Sequence, residues 1–245
     1  MFHSRVRRFF RCRNVRSESA LASVLAGKIA ADGNGLPRSA LAEELYTLLQ
    51  GKREAIERDL LAVVDSDPAA PELLTVFCHF KGFLALSTHR CASALWARKD
   101  EDAAARALAL LLQGRASECF QVDIHPGATM GSGIFIDHAT GVVIGEQASV
   151  GDDCYILHGV TLGATGKKDK KTGRRHPVVG SKCTIGSGAS VLGPITIGDG
   201  ATVGANAVVT KNVDEGATVI ETGFMNNRVL GGKKKKAPAA PAVAA

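Results

Sequence analysis

An aliphatic residue recurs every six positions through most of the stretch 124–209, and this period constrains the fold more than any other feature. Ile144, Val150, Ile156 and Leu162 follow one another at that spacing; Val179, Ile185, Val191, Ile197, Val203 and Val209 resume it. Glycine comes directly after at Gly145, Gly151, Gly163, Gly180, Gly186, Gly198 and Gly204. Four places after each aliphatic residue sits a small or β-branched one: Ala148, Cys154, Val160, Cys183, Ala189, Ile195, Ala201 and Ala207. A helix repeats at about 3.6 residues and a strand at about two, so neither accounts for the pattern. A solenoid of short strands and tight corners does, each repeat forming one side of a triangular coil with the aliphatic residue pointing inward.

Upstream the period is helical. Leu21, Val24, Leu25 and Ile29 form one apolar stripe, Leu41, Leu45, Leu48 and Leu49 a second, and Ile56, Leu60, Leu61, Val63 and Val64 a third. Asp67-Pro68 and Pro71 interrupt it, because proline cannot continue a helix interior. Two further helices are expected, Leu73 to Trp96 and Ala103 to Leu112, with loops at Gly33-Asn34-Gly35 and 99–102. The expected fold is α+β: an α-helical domain over 18–118, then a left-handed parallel β-helix over 119–230. Residues 1–17 read as a basic disordered arm or presequence, and 231–245 as a disordered Lys/Ala/Pro tail.

The net charge of +6 is unevenly spread. Residues 1–17 carry +6, residues 167–175 carry +5 and Lys233 to Lys236 carry +4, which leaves −9 for the rest of the chain. An acidic body argues against a nucleic-acid-binding face, which needs a basic stripe on a folded surface. One Trp and two Tyr also leave little for base stacking. No window approaches the ~18 apolar residues of a membrane span. The six cysteines show no zinc-finger spacing and read as reduced thiols, Cys154 and Cys183 facing inward. A cytosolic location is expected, with organellar import through the Arg-rich start as the alternative.

The repeat breaks twice. Between Leu162 and Val179 it gives way to a glycine-bounded basic stretch, Gly166 to Arg175; between Ile136 and Ile144 the spacing is eight, around Asp137-His138-Ala139-Thr140-Gly141. Such breaks are candidate functional sites, and the two together are expected to gather Asp137, Arg175 and His176. Asp123 lies 15 residues before His138, close to one coil of about 18 residues. A carboxylate on one ring nitrogen fixes the tautomer and leaves the other nitrogen to act as a general base. His158, following Ile156-Leu157, reads as structural, His125 is ambiguous, and His176 at the loop exit is either a solvated loop residue or part of the site.

The motifs Asp123-Ile124-His125-Pro126, Asp137-His138-Ala139-Thr140-Gly141, Thr161-Leu162-Gly163 and Arg175-His176-Pro177 occur in order, with Asp67-Pro68 and Lys81-Gly82-Phe83 upstream. This set resembles serine O-acetyltransferase, within the hexapeptide-repeat acyltransferases, over roughly 65–209. The resemblance implies acetyl transfer from acetyl-CoA, a cosubstrate, to the L-serine hydroxyl without a metal. His138 would be the base, oriented by Asp123. Asp67 and Asp137 would hold the serine ammonium and Arg175 its carboxylate, while His176 would help position substrate and stabilise the oxyanion. CoA would lie against Gly163, Gly186, Gly188, Gly204 and Ala205, in the groove between adjacent solenoids. A homotrimer or dimer of trimers, and inhibition by L-cysteine at the serine site, are likewise implied.

The chain departs from the family pattern in places. Ala164 replaces a second glycine after Thr-Leu-Gly, which would cost energy if its φ were positive. Thr202 stands where a CoA-facing lysine is common, the basic loop is about three residues longer, and Gly223 to Arg228 keeps only the family's glycine and arginine. The chain ends Ala244-Ala245 without the isoleucine tail, so weak or no binding to the cysteine synthase enzyme O-acetylserine sulfhydrylase is expected. Other readings of the residues are a hexapeptide acyltransferase with another hydroxyl acceptor, a metal lyase of the γ-carbonic anhydrase type and a non-catalytic scaffold.

Overall fold

The computed structural model describes residues 17–30, 37–68, 70, 72–221 and 227–231. The expectations for the basic arm before Ser17, the loop at 33–35, Pro71, the stretch 223–226 and the tail after Gly231 lie outside these.

Six helices are described: α1 Ser17–Ile29, α2 Arg38–Gln50, α3 Arg53–Ser66, α4 Leu73–His79, α5 Lys81–Trp96 and α6 Ala103–Phe120. Their cores are the apolar stripes: Leu21, Leu25 and Ile29, then Leu41, Leu45 and Leu49, then Ile56, Leu60 and Val63. The single helix expected from Leu73 to Trp96 is two. Phe80 takes extended backbone (φ −76°, ψ 102°) and the chain restarts at Lys81. The new direction lays α5 directly on the solenoid: a Cβ on Gly82 would stand 2.0 Å from the carbonyl oxygen of Ile136. Asp102 caps α6, its carboxylate accepting from the Ala105 N–H at 2.9 Å. α6 runs past Leu112 to Phe120 and ends on Gln121 in the left-handed region (φ 57°).

The solenoid follows as β1 Val122–Ile124, β2 Thr129–Met130, β3 Phe135–Ile136, β4 Val142–Ile144, β5 Ser149–Val150, β6 Tyr155–Ile156, β7 Thr161–Gly163, β8 Val178–Val179, β9 Thr184–Ile185, β10 Ser190–Leu192, β11 Thr196–Ile197, β12 Thr202–Val203 and β13 Val208–Val209. β14 Thr218–Glu221 and the antiparallel β15 Asn227–Leu230 close it. The strands stack into three faces: β1-β4-β7-β10-β13, β2-β5-β8-β11 and β3-β6-β9-β12-β14-β15. This is the expected left-handed parallel β-helix.

Register explains the six-residue period. Each inward aliphatic residue lies on its equivalent one coil away, as Ile144 on Leu162 and Ile156 on Ile185, and the small residues between them are buried too. A regular coil spans 18 residues, Ile144 to Leu162. The first spans 20, Ile124 to Ile144, and the third 29, Leu162 to Val191. The extra residues are the turn containing His138 and the basic loop.

A buried ion pair ties the two parts together. Arg90 on α5 donates from Nε and Nη2 to the two carboxylate oxygens of Asp59 on α3, at 2.7 and 2.9 Å, and from Nη2 to the Gly131 carbonyl at 2.7 Å. Asp59 also accepts from the Ile134 N–H at 3.0 Å. No helix of the described residues is long and apolar enough to cross a membrane.

Candidate active site

The turns 137–141, 157–160, 186–189 and 204–207 stack along one edge of the solenoid, where the third face passes into the first. The first of these turns holds the two extra residues. Ala139 N–H bonds to the Asp137 carbonyl (2.6 Å) and Thr140 N–H to the His138 carbonyl (2.7 Å), with φ of 55° at His138 and 58° at Ala139. Two consecutive left-handed residues cost roughly 1–2 kcal/mol each. The turn is held from both sides: Gly141 N–H donates to the Gln121 carbonyl at 2.8 Å, and the Lys81 ammonium donates to Thr140 Oγ1.

This conformation projects His138 into solvent, its side chain 76% exposed, with Nε2 3.8 Å from Asp137 Oδ1. The His158 ring meets it edge-on one coil away, centroids 5.8 Å apart. His158 is exposed rather than a core histidine. Asp137 in turn accepts from the Tyr155 hydroxyl at 2.6 Å. Burial, followed by the charges of Asp137 and Asp67, pushes the Tyr155 phenol up to about 12. It therefore remains a donor at neutral pH. Asp123 pairs in register with Val143, and its Oδ1 accepts from Gln113 Nε2 of α6 at 2.7 Å. Among the described residues no hydrogen bond joins Asp123 to His138, although the His138 turn is bonded to Gln121, two residues before Asp123.

Arg175 and His176 occupy a different edge, where the first face passes into the second. The basic loop reaches it as an ordered turn: the Asp169 carboxylate accepts from Lys171 N–H, Thr172 N–H and Thr172 Oγ1, and Asp169 N–H bonds to the Arg174 carbonyl. Arg175 N–H donates to Gln147 Oε1 at 3.0 Å. The His176 ring lies on Gly145, buried, and its Nδ1 has no hydrogen-bond partner among the described residues. Burial, then the Arg175 charge, lowers its pKa, so it is neutral at pH 7. Within one chain the two breaks thus fail to gather Asp137, Arg175 and His176, because they open at different edges. The seven residues from His138 to Gly145 span up to roughly 20 Å of extended chain.

Gly186, Gly188, Gly204 and Ala205 stack on the His138 edge, whereas Gly163 ends β7 at the other side of its face, its carbonyl accepting from Gly193 N–H. Ala164 is not among the residues with positive φ, so the alanine carries no backbone strain. Thr202 lies in β12 between Thr184 and Thr218. Tyr155 and Gln113 are the contacts that the sequence pattern does not reveal. Tyr155 faces outward at a variable position of the repeat, and the only hint of Gln113 is a polar residue closing the run Leu110-Leu111-Leu112.

A β-helix whose coil breaks expose a histidine beside a carboxylate at one edge and a basic loop at another defines a hexapeptide-repeat transferase. The family model "Serine acetyltransferase, N-terminal" matches residues 12–88, and "Bacterial transferase hexapeptide (six repeats)" matches 176–211. Probable serine acetyltransferase 4 of Oryza sativa subsp. japonica is 52% identical over 224 residues, 90% of this chain and 67% of that protein. Soybean serine acetyltransferase complexed with serine superposes with a TM-score of 0.78 at 39% identity, covering 87% of this chain and 84% of that one. A serine acetyltransferase in complex with CoA gives 0.77 at 36% identity, covering 89% and 86%. The chain belongs to the serine acetyltransferase family. It spans 44% to 67% of the length of its rice and Arabidopsis thaliana relatives, two of which are named mitochondrial and chloroplastic.

Proposed function

We propose that this chain transfers the acetyl group of acetyl-CoA to the hydroxyl of L-serine, giving O-acetyl-L-serine for cysteine biosynthesis. The observation that carries the reading, beside family membership, is the sorting of charge. Asp137 stands beside His138 at one edge and Arg175 at another, the two signs a zwitterionic amino acid requires. His138 takes the serine hydroxyl proton as the oxygen attacks the thioester carbonyl. The tetrahedral intermediate then collapses, the C–S bond breaks, and the imidazolium returns the proton to the CoA thiolate. Asp123, one oxygen held by Gln113, serves the imidazolium once the exposed His138 ring turns toward β1. Tyr155 holds Asp137 by its hydroxyl, aimed at the ammonium. Arg175 clamps the carboxylate bidentately, and neutral His176 stands by to donate to the oxyanion.

One serine molecule is a few ångströms long and cannot bridge two edges of the same solenoid. The site is therefore completed by a second copy, Asp67, Asp137 and His138 of one facing Arg175 and His176 of the next. CoA lies between them, along Gly186, Gly188, Gly204 and Ala205 of one copy and Gly163 of the other. A cyclic trimer satisfies all three sites. Val143 and Val208, both about two-fifths exposed on the outer side of the first face, suit such contacts, and exposed Leu74, Leu110 and Leu111 on the helices suit pairing of two trimers. Native mass measurement distinguishes trimer from hexamer. L-cysteine carries the same ammonium and carboxylate and competes with serine, which a titration of one against the other reads. The compartment is the cytosol, or an organelle as for the relatives named mitochondrial and chloroplastic; imaging of a tagged full chain decides.

The reaction is tested by thiol release from acetyl-CoA with and without L-serine. Release that depends on serine and falls by about 10²–10⁴ in His138→Ala supports reaction and base together. Serine-independent hydrolysis, or full activity in the variant, removes the reading.

A further inference from the structure

The helical domain reaches the candidate site from behind, through β1. Gln113 on α6 donates its side-chain N–H to Asp123 Oδ1 at 2.7 Å. Nearby, His89 on α5 is buried, its Nδ1 without a hydrogen-bond partner among the described residues. Thr88, His89, Leu112, Gln113, Val122 and Ile124 surround a cavity of about 10 Å³ between the helices and β1. β1 is thus held on its helical side by the Gln113 amide. No cation of α6 competes for Asp123: Arg115 turns to the Ile29 carbonyl and to Glu118, and Arg106 is exposed near the other end of the helix. Burial and the nearby Arg90 charge hold His89 at about 3, so it faces β1 uncharged at neutral pH.

A carboxylate that orients a histidine needs its own direction set. With both oxygens free, the group rotates about χ2, which is a broad torsion. An amide donor fixed on a helix removes that freedom without neutralising the charge, and it occupies one oxygen while leaving the other. The geometry points to Gln113 as a positioning residue for the acetyl transfer: it locks Asp123 so that Oδ2 is presented to His138, and so makes the orientation of the base depend on the docking of α6. This inference rests on the proposed pairing of Asp123 with His138. Gln113 lies in no motif of the solenoid.

The test measures kcat, KM for serine and for acetyl-CoA, and the pH profile of kcat for the full chain, for Gln113→Met, Gln113→Glu and Asp123→Asn, with melting and oligomer mass as controls. Gln113→Met is expected to lower kcat about tenfold while leaving both KM values within about twofold, since the lost interaction acts in the transition state. Gln113→Glu sets one carboxylate against another at pH 8 and is expected to fall further. Its kcat relative to wild type recovers as pH is lowered, because the added carboxyl, once protonated, again donates to Asp123. A destabilised scaffold does not recover on acidification. Both Gln113 variants within about twofold of wild type, with a flat Glu-to-wild-type ratio across pH, would overturn the inference while a deficient Asp123→Asn left the base assignment standing. Full activity of Asp123→Asn would remove the underlying reading, and this inference with it.

Discussion

The His176 imidazole lies directly on Gly145: a Cβ built on that glycine would come within 2.2 Å of both Cδ2 and Nε2 of the ring. Gly145 belongs to the repeat, and its neighbours in the pairing, Ile144 and Leu162, are fixed by register. The ring rather than the backbone must yield to a side chain. Gly145→Ala is therefore expected to displace His176 and lower kcat/KM by tenfold or more, with a melting temperature close to wild type. Loss of fold in step with activity would argue that Gly145 serves packing alone.

Tyr155 donates to a carboxylate, and a hydrogen bond to a charged group contributes about 1.5–3 kcal/mol. Tyr155→Phe keeps the ring contact with Phe135, centroids 5.0 Å apart, and removes only the hydroxyl. Asp137 is then less well held toward the serine ammonium. KM for serine is expected to rise about tenfold or more, with KM for acetyl-CoA unchanged. Steady-state kinetics with each substrate varied separately checks this; equal rises in both would place Tyr155 outside the serine clamp.

The solenoid is legible because each inward position of a coil is a slot of fixed size, filled by the same residue class at Ile144, Leu162 and Val191. The helix stripes are legible for the same reason. The break at Phe80 is not, because it follows from the tertiary approach of Gly82 to Ile136 rather than from local propensity. The two irregular segments are visible as departures from the period, but a six-residue period does not label the sides of a triangle. Only the coil length assigns the His138 turn and the Arg175 loop to different edges. Tyr155 and Gln113 stay hidden because outward positions of the repeat and the ends of apolar runs admit most residue types.

His89 makes stability depend on acid. Its ordinary value is about 6.5 and burial lowers it to about 3 in the folded chain. The folded state thus resists a proton that the unfolded state accepts. Its contribution is complete above about pH 6.5 and is lost progressively as pH falls toward 3; the lowered His176 acts in the same direction. Melting temperature is expected to drop steadily below pH 6.5, and His89→Gln to flatten that slope whatever its stability at pH 7. An unchanged slope in the variant would assign acid lability to other groups.

Arg90 and Asp59 are 6% and 1% exposed, and the pair joins α3 and α5 to the first coil. Burial alone raises the Asp59 carboxyl, and the Arg90 charge opposes it. Arg90→Met leaves that carboxylate without its cation and is expected to cost about 3–5 kcal/mol. Arg90→Met with Asp59→Leu removes both charges and should recover much of the loss. Denaturant titration of the two variants reads the difference. Equal destabilisation by the single and double changes would mean that the hydrogen bonds to Gly131 and Ile134, rather than the charge pair, hold the domains together.

The separation of His138 from Arg175 yields the most direct test of a site shared between copies. His138→Ala disables the edge that carries the proposed base, and Arg175→Ala disables the edge that carries the proposed clamp. Each variant alone is expected to be nearly inactive. If each site takes one edge from each of two neighbouring copies, co-expressing the variants in equal amounts gives random cyclic trimers in which about a quarter of the sites are intact. Activity should then return to about a quarter of wild type, at unchanged KM for serine. A site contained within one chain would leave the mixed assemblies as inactive as the separate variants, because no chain would carry both side chains. The outcome can be read from tagged, co-purified trimers whose composition is verified by mass, so that absence of mixing is not mistaken for absence of rescue.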